Sequence, residues 1–463
     1  MPGIKTILKV ALSIITLFAL LLMPTPEGLP PEGKRVLAVT ATAVVLWMTE
    51  VVHSSVVGLL AVVLLAITSA VPSFKDALYG FSQPLVYFLF GVYVMALAAS
   101  KSGLAESAAR WMLTKSRGSI RTLYFQLIAS FALFSYLVPS ATTRNSIQLP
   151  AYDEAFRLAG FKKQNPAPRI IMLAMAALNR LGSTALLTGG IAPVTAAALL
   201  GNFSWGRWFI LMALPYYLML LLGGLFIYFM YRPKNGYSAS AEEYFQASKH
   251  VFSRNEIKVA AVMGIAILFW STESLHHQNS ALIALIAAVA LMIPGFGVIH
   301  WREMESNLSW SSLFLMATSL CLGQAFITSG AAAWLAGQLV STTGFLHGSP
   351  YLQLLLLMVV TSVVRLGIPE ISTVYSIMIP LSIVFARQVG LNPLLCGLVV
   401  TIAPDAAIFY AAQSASSIIV YERGWFSTTD LVKVAVGMTV ISFLTVFLVA
   451  LPYWQLLGEP LIP

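Results

Sequence analysis

Charge is what this sequence has least of. Only 10% of its 463 residues are Asp, Glu, Lys or Arg, against 58% apolar. A soluble domain carries about 25% charged residues. So few charges cannot coat a water-facing surface, which excludes an ordinary soluble chain. Cysteine is scarce too. Cys321 and Cys396 lie in separate apolar runs with no CxxC partner, which argues against a disulfide or zinc framework. A paired-carboxylate metal motif, a catalytic His-Glu cluster in one span and a Gly-rich phosphate loop are all missing, so an enzyme is not expected. The net charge is +9. In a chain this apolar it reads as the positive-inside bias of membrane proteins, not as nucleic-acid binding.

Long apolar runs are what the sequence does have. Val36–Met48, Val56–Ile67, Phe209–Met230 and Leu431–Leu451 carry few charges. They approach or exceed the span of a bilayer, about 20 residues. The expected fold is an all-α polytopic membrane protein of about eleven transmembrane helices plus two re-entrant hairpins. The first run, Ile7–Met23, follows Lys5 but ends in Met23-Pro24-Thr25-Pro26. That ending lacks the small-residue cleavage pattern of a signal peptide, so residues 1–35 read as a first transmembrane helix and loop.

The chain resembles itself at a spacing near 227 residues. Trp47-Met48-Thr49-Glu50-Val51-Val52-His53 aligns with Trp270-Ser271-Thr272-Glu273-Ser274-Leu275-His276, four of seven positions being identical. Ser102-Gly103 aligns with Ser329-Gly330. The segment Pro139–Pro150 aligns with Pro369–Pro380, with five identities in twelve. Three matches in one order define two halves, 36–231 and 257–455. A polar linker, 232–256, separates them, and a tail, 456–463, follows. Basic residues orient the halves. Lys101, Arg110, Lys115, Arg117 and Arg121 follow the span Pro84–Ser100, whereas the counterpart Ala331–Pro350 has no Lys or Arg. Matching segments of such unequal charge belong on opposite membrane faces. The linker and the N-terminus are then cytoplasmic, and the halves are inverted repeats, an architecture of secondary transporters.

Four places break helical character within apolar surroundings. Two are polar turns, 139–146 and 369–376, read as tips of re-entrant hairpins. Two are helices unwound near 179–193 and 404–417. Irregular backbone at membrane depth is tolerated only where protein or water covers it. Helix N-termini at such breaks suit oxyanions. The substrate-binding candidates are therefore Ser140, Thr142, Thr143, Arg144, Asn145, Gly189, Ser372, Thr373 and Ser414. Hydroxyls in membrane helices also serve as packing and carbonyl partners, so each has a structural alternative.

At the tips and the Thr-Glu junctions the sequence resembles the divalent anion:sodium symporter family of dicarboxylate, tricarboxylate and sulfate carriers. Thr49-Glu50 precedes Val56-Val57-Gly58-Leu59-Leu60, and Ser140-Ala141-Thr142 and Glu370-Ile371-Ser372 stand eight residues before Leu149-Pro150 and Ile379-Pro380. The family has a Ser-Asn-Thr triplet at each tip. Here both asparagines are replaced, by Ala141 and Ile371. The resemblance implies a homodimeric elevator carrier in the cytoplasmic membrane, with hairpins and unwound helices as the moving domain. It implies Leu104–Leu113 and Ala332–Leu339 as connecting arms. Sodium is the coupling ion the family implies, and the lost amides weaken that implication.

Charges inside a bilayer cost about 2.5–3.5 kcal/mol each and invite a function. Arg144, Arg180, Arg365, Glu370 and Asp405 are such charges. One expectation is that Arg144 replaces a bound cation and meets an anionic substrate through its planar donor fork. Another is a structural pair, Arg144–Glu370 or Arg180–Asp405. Arg180, Glu370 and Asp405 are candidates for charge balance or proton coupling. Glu50 and Glu273, each three residues before His53 and His276, read as helix-end capping, and no metal site is expected. The function expected is a carrier of a small organic anion, dicarboxylate-like, acting as a sodium-independent exchanger. The alternatives are a sodium- or proton-coupled symporter of a sulfonate or sulfate, and an anion channel.

Overall fold

The computed structural model describes residues 4–105, 107, 120–138, 140–158, 160–163, 165–201, 203–232, 252–342 and 348–463. Most of the expected linker, much of the arm Leu104–Leu113, and Pro139 of the first tip lie outside the described residues.

Among the described residues every regular element is a helix. In chain order the helices are α1 (Ile4–Leu22), α2 (Pro31–Thr49), α3 (Ser54–Ile67), α4 (Phe74–Ala77), α5 (Pro84–Lys101), α6 (Ile120–Phe134), α7 (Ala141–Leu158), α8 (Pro166–Thr184), α9 (Ile191–Leu200) and α10 (Trp205–Tyr231). They continue as α11 (Arg254–Ser271), α12 (Glu273–His276), α13 (Ser280–Met292), α14 (Trp301–Asn307), α15 (Trp310–Thr328), α16 (Ala331–Thr342), α17 (Pro350–Gly367), α18 (Ile371–Val389), α19 (Pro393–Asp405), α20 (Ala415–Tyr421), α21 (Thr428–Thr445) and α22 (Leu451–Leu456). Among the described residues six helices are long and apolar enough to cross a membrane, α21 and α22 running together as one of them. Ile15, Ile286, Val363 and Leu448 are exposed on their helices. Exposed apolar faces of this kind are unfavourable in water and natural against lipid.

The short sequence matches between the halves do local work. Trp47 Nε1 donates to the Ser54 carbonyl at 3.1 Å, and Trp270 Nε1 donates to the Ser280 carbonyl at 3.0 Å. Each indole thus ties its helix to the first residue of a following one, α2 to α3 and α11 to α13. His53 Nδ1 accepts from the Ser55 amide and His276 Nδ1 from the Gln278 amide, so both histidines cap chain turns. Gly103 and Gly330 follow α5 and α15 with φ of +86° and +76°, a left-handed conformation that glycine adopts without a Cβ penalty. Asn165 and Asn392 cap α8 and α19 through the Ala167 and Leu394 amides. Pro150 and Pro380 lie inside α7 and α18.

Close helix contact is made by small residues, as expected where lipid supplies no hydrophobic drive between helices. A Cβ on Gly91 of α5 would lie 2.6 Å from the Ala284 backbone of α13. A Cβ on Gly182 of α8 would lie 2.3 Å from the Phe131 carbonyl oxygen of α6. One large apolar core runs through α5, α8, α10, α18 and α19, with Phe88, Leu178, Trp208, Tyr375 and Val399 buried in it. A second core joins α2, α3 and α15 around Trp47, Val57 and Phe326. Gly91→Val is expected to lower stability by about 1–3 kcal/mol through overpacking against Ala284. The check is thermal or SDS unfolding in detergent, with Gly264→Val, where no atom lies within 4 Å of the added Cβ, as the unaffected control.

Candidate functional site

The site is built from two hairpin turns and two interrupted helices. α6 and α7 meet across residues 135–140, and α17 and α18 across residues 368–370. The residue before each second arm caps it. Ser140 Oγ accepts from the Thr143 amide at 3.2 Å. Glu370, at the matching position, accepts from the Ser372 amide at 3.4 Å. The interruptions follow. α8 stops at Thr184, a 3-10 turn covers Leu187–Gly189, and α9 starts at Ile191. Gly190 has φ of +125°, and a Cβ on Gly189 would lie 1.7 Å from the Ser183 carbonyl oxygen. Only glycine fits that reversal. α19 stops at Asp405, Ala411–Gln413 form a 3-10 turn, and α20 starts at Ala415.

Each interruption leaves carbonyls without helical partners, and side chains supply the donors. Ser135 Oγ donates to the Gly182 carbonyl at 3.0 Å, and Trp208 Nε1 to the Thr184 carbonyl at 3.1 Å. Arg144 is fully buried. Its Nε donates to Asn179 Oδ1, its Nη2 to the Asn179 carbonyl and its Nη1 to the Val138 carbonyl, each at 2.8 Å. Arg365 does the matching job at the other tip. Its Nη1 donates to the Ile368 carbonyl at 2.7 Å and to the Pro369 carbonyl. Its Nη2 donates to the Gln413 carbonyl at 2.8 Å. Asn145 Nδ2 donates to the Met175 and Ser416 carbonyls, at 3.1 and 2.8 Å. Arg180 bridges the two interrupted helices, its Nη1 lying 2.7 Å from Asp405 Oδ1 and its Nη2 2.6 Å from the Asp405 carbonyl.

These elements enclose a cavity of about 210 Å³. Ser140, Ala141 and Thr142 line it from the start of α7. Arg180, Ser183 and Thr184 come from the end of α8, and Gly189 to Pro193 from the break and the start of α9. Glu370 and Ile371 come from the start of α18, Asp405 from the end of α19, and Gln413 to Ser416 from the start of α20. Tyr93 of α5 and Ser312 of α15 complete the wall. The N-termini of α7, α9 and α18 all border one space. Each carries about half a positive charge. The Glu370 carboxylate already meets that of α18, so the geometry favours a small oxyanion beside α7 and α9 among hydroxyl donors.

Of the residues expected from sequence, Ser140, Thr142, Gly189, Ser414, Arg180, Glu370 and Asp405 line this cavity. Thr143, Arg144, Asn145, Ser372 and Thr373 are not among its lining residues. Arg144 is the main correction: its guanidinium turns away from the cavity and onto the backbone of its own tip and of α8. The Arg180–Asp405 pair is present. Among the described residues the Arg144–Glu370 pair is not formed. Ser372 and Thr373 are buried with hydroxyls that have no hydrogen-bond partner. Tyr93 and Ser312 could not be found from sequence, because they lie in apolar helices far along the chain from every break.

The family described as sodium:sulfate symporter transmembrane region matches residues 4–459. Among curated proteins, the citrate/succinate antiporter of Escherichia coli strain K12 is 22% identical over 96% of this chain and 97% of its own length. The L-tartrate/succinate antiporter of Shigella boydii is 25% identical over 97% of both chains. The crystal structure of the Alcanivorax borkumensis YdaH transporter aligns with a TM-score of 0.53 and 17% identity, covering 82% of this chain and 86% of that one, a likeness of fold alone. With a helical architecture, lipid-compatible faces and a family match over nearly its whole length, the chain belongs to the sodium:sulfate symporter, or divalent anion:sodium symporter, family of membrane transporters.

Proposed function

We propose that the chain is a sodium-independent exchanger of small dicarboxylate-like anions in the cytoplasmic membrane, with the cavity between the two hairpin tips as its substrate site. The observation that carries this reading is the convergence of the α7 and α9 N-termini and the Ser140, Thr142 and Ser414 side chains on one cavity. Such an arrangement stabilises oxyanions through fixed dipoles and neutral donors. The relatives named as citrate/succinate and tartrate/succinate antiporters support both the substrate class and the exchange.

The two buried arginines support independence from sodium. A hard cation needs several oxygen ligands in a fixed cage. At the first tip the Val138 and Asn179 oxygens accept from Arg144, and at the second the Ile368, Pro369 and Gln413 oxygens accept from Arg365. A permanent guanidinium thus stands on carbonyls of the kind a removable cation would use. In our reading the halves, 36–231 and 257–455, are inverted repeats, and the tips with α8, α9, α19 and α20 move as an elevator against a dimeric scaffold. The N-terminus and linker are cytoplasmic in this arrangement.

The direct test is counterflow in proteoliposomes preloaded with unlabelled dicarboxylate. Uptake of labelled succinate is expected to be trans-stimulated and unchanged when choline replaces sodium. Strict sodium dependence would overturn the reading. Arg144→Gln is expected to cost about 3 kcal/mol, because it leaves buried carbonyls without donors. Arg144→Lys should not restore stability, since an ammonium cannot reach acceptors in three directions. Melting temperatures of the purified variants check both. Asp405→Asn strands a nearly buried guanidinium and is expected to cost about 3–5 kcal/mol. The double change Arg180→Gln with Asp405→Asn should recover a large part of that loss, read as coupling in a double-mutant cycle.

A further inference from the structure

Three charged side chains line the cavity: Arg180, Asp405 and Glu370. The first two form an ion pair at 2.7 Å and cancel. Glu370 remains. Among the described residues no ion pair involves its carboxylate. Arg365 acts on Glu370 through its charge, but its Nη groups donate to the Ile368, Pro369 and Gln413 carbonyls and do not reach the carboxylate. The hydrogen bond that Glu370 accepts is the long one from the Ser372 amide. The same wall has an acceptor without a donor, because Asp405 Oδ2 is buried and has no hydrogen-bond partner.

A carboxylate only accepts hydrogen bonds. Placing one in a partly buried site beside a bound anion is unfavourable unless a cation or further donor meets it. The rest of the site is built for oxyanions, with Ser140, Thr142 and the starts of α7 and α9. The site therefore has two ends of opposite demand: one asks for negative charge, the other for a positively charged donor. A plain dicarboxylate satisfies the first and opposes the second.

We propose that the preferred substrate is a small anion that also carries a primary ammonium, of the amino-dicarboxylate or aminosulfonate type, with the ammonium held by Glu370. This rests on the reading of the cavity as the substrate site of an anion exchanger and narrows it. Glu370 is then the specificity-determining residue of the second tip. Its counterpart Ser140, at the matching position of the first tip, serves the oxyanion end. The asymmetry between two matched caps gives the bound molecule a direction.

The experiment is counterflow in proteoliposomes with four unlabelled probes competing against labelled L-aspartate: L-aspartate, L-malate, succinate and taurine. L-Aspartate and L-malate differ by ammonium against hydroxyl at one carbon, so their ratio isolates the Glu370 contact. Wild type is expected to prefer L-aspartate over L-malate and succinate by about ten-fold or more. Strong competition by taurine would identify the aminosulfonate type, and weak competition the amino-dicarboxylate type, both within the proposal. Glu370→Gln keeps an oxygen for the Ser372 cap and is expected to remove the preference while improving succinate. Glu370→Asp keeps the charge and should retain it. Equal use of L-aspartate and succinate by wild type would overturn this proposal and leave the exchange reading standing. So would a Glu370→Gln variant that weakens all four probes alike. Succinate uptake that rises on acidification in wild type but not in Glu370→Gln would make Glu370 a proton carrier and overturn it too. No trans-stimulated flux with any probe, labelled succinate included, would overturn the exchange reading itself.

Discussion

In a bilayer a broken helix survives only if every freed carbonyl finds a donor, and this requirement organises the structure around its cavity. The chain meets it with buried side chains. Arg144 and Arg365 each hold the turn of their own hairpin and the backbone of an interrupted helix. Ser135, Trp208 and Arg180 take the Gly182, Thr184 and Asp405 carbonyls. With the breaks stabilised in this way, helix ends can stop in mid-fold and point their N–H groups into a shared space. The broken backbone around the cavity is held from behind by these side chains.

The two tips solve one problem with different residues. At matching positions Ser140 and Glu370 cap the second arms. Ser135 and Arg365 also match in sequence, and both donate to the interrupted helix beside them. Asn145 and Tyr375 match as well, and they donate to the Met175 and Thr401 carbonyls on α8 and α19. Identity between the halves is low at these positions because the requirement is for a donor in a given direction, which several side chains can supply. What differs is charge. One cap is a neutral hydroxyl and the other a carboxylate, and in our proposal that difference orients the bound molecule.

Much of the architecture was legible because it rests on local rules. Low charge and long apolar runs dictate helices in lipid, since no other open structure satisfies its backbone there. The Ser-Gly pairs at 102–103 and 329–330 terminate helices for a reason internal to the backbone. Gly189 and Gly190 announce a reversal, a Cβ being blocked at the first and the backbone left-handed at the second. Seven residues named from sequence line the cavity for the same reason, because they sit at breaks that composition reveals. The face each residue presents was not legible. Arg144 lies on the same first turns as Thr142, yet one lines the cavity and the other turns to Asn179. Tyr93 and Ser312 come from α5 and α15, which carry no break.

The sequence by itself determined that this chain is a helical membrane protein of this transporter family, and where helices break near 179–193 and 404–417. Those are properties of composition and of residues a few positions apart, set by backbone sterics and by the cost of charge in lipid. Only the tertiary structure decided which charges are spent on carbonyls and which face the cavity. Arg144 and Arg365 are committed to backbone, Arg180 is paired with Asp405, and Glu370 lines the space between the tips with no ion pair among the described residues. Residues hundreds of positions apart compete for the same donors and acceptors, and that competition is resolved only when the helices pack.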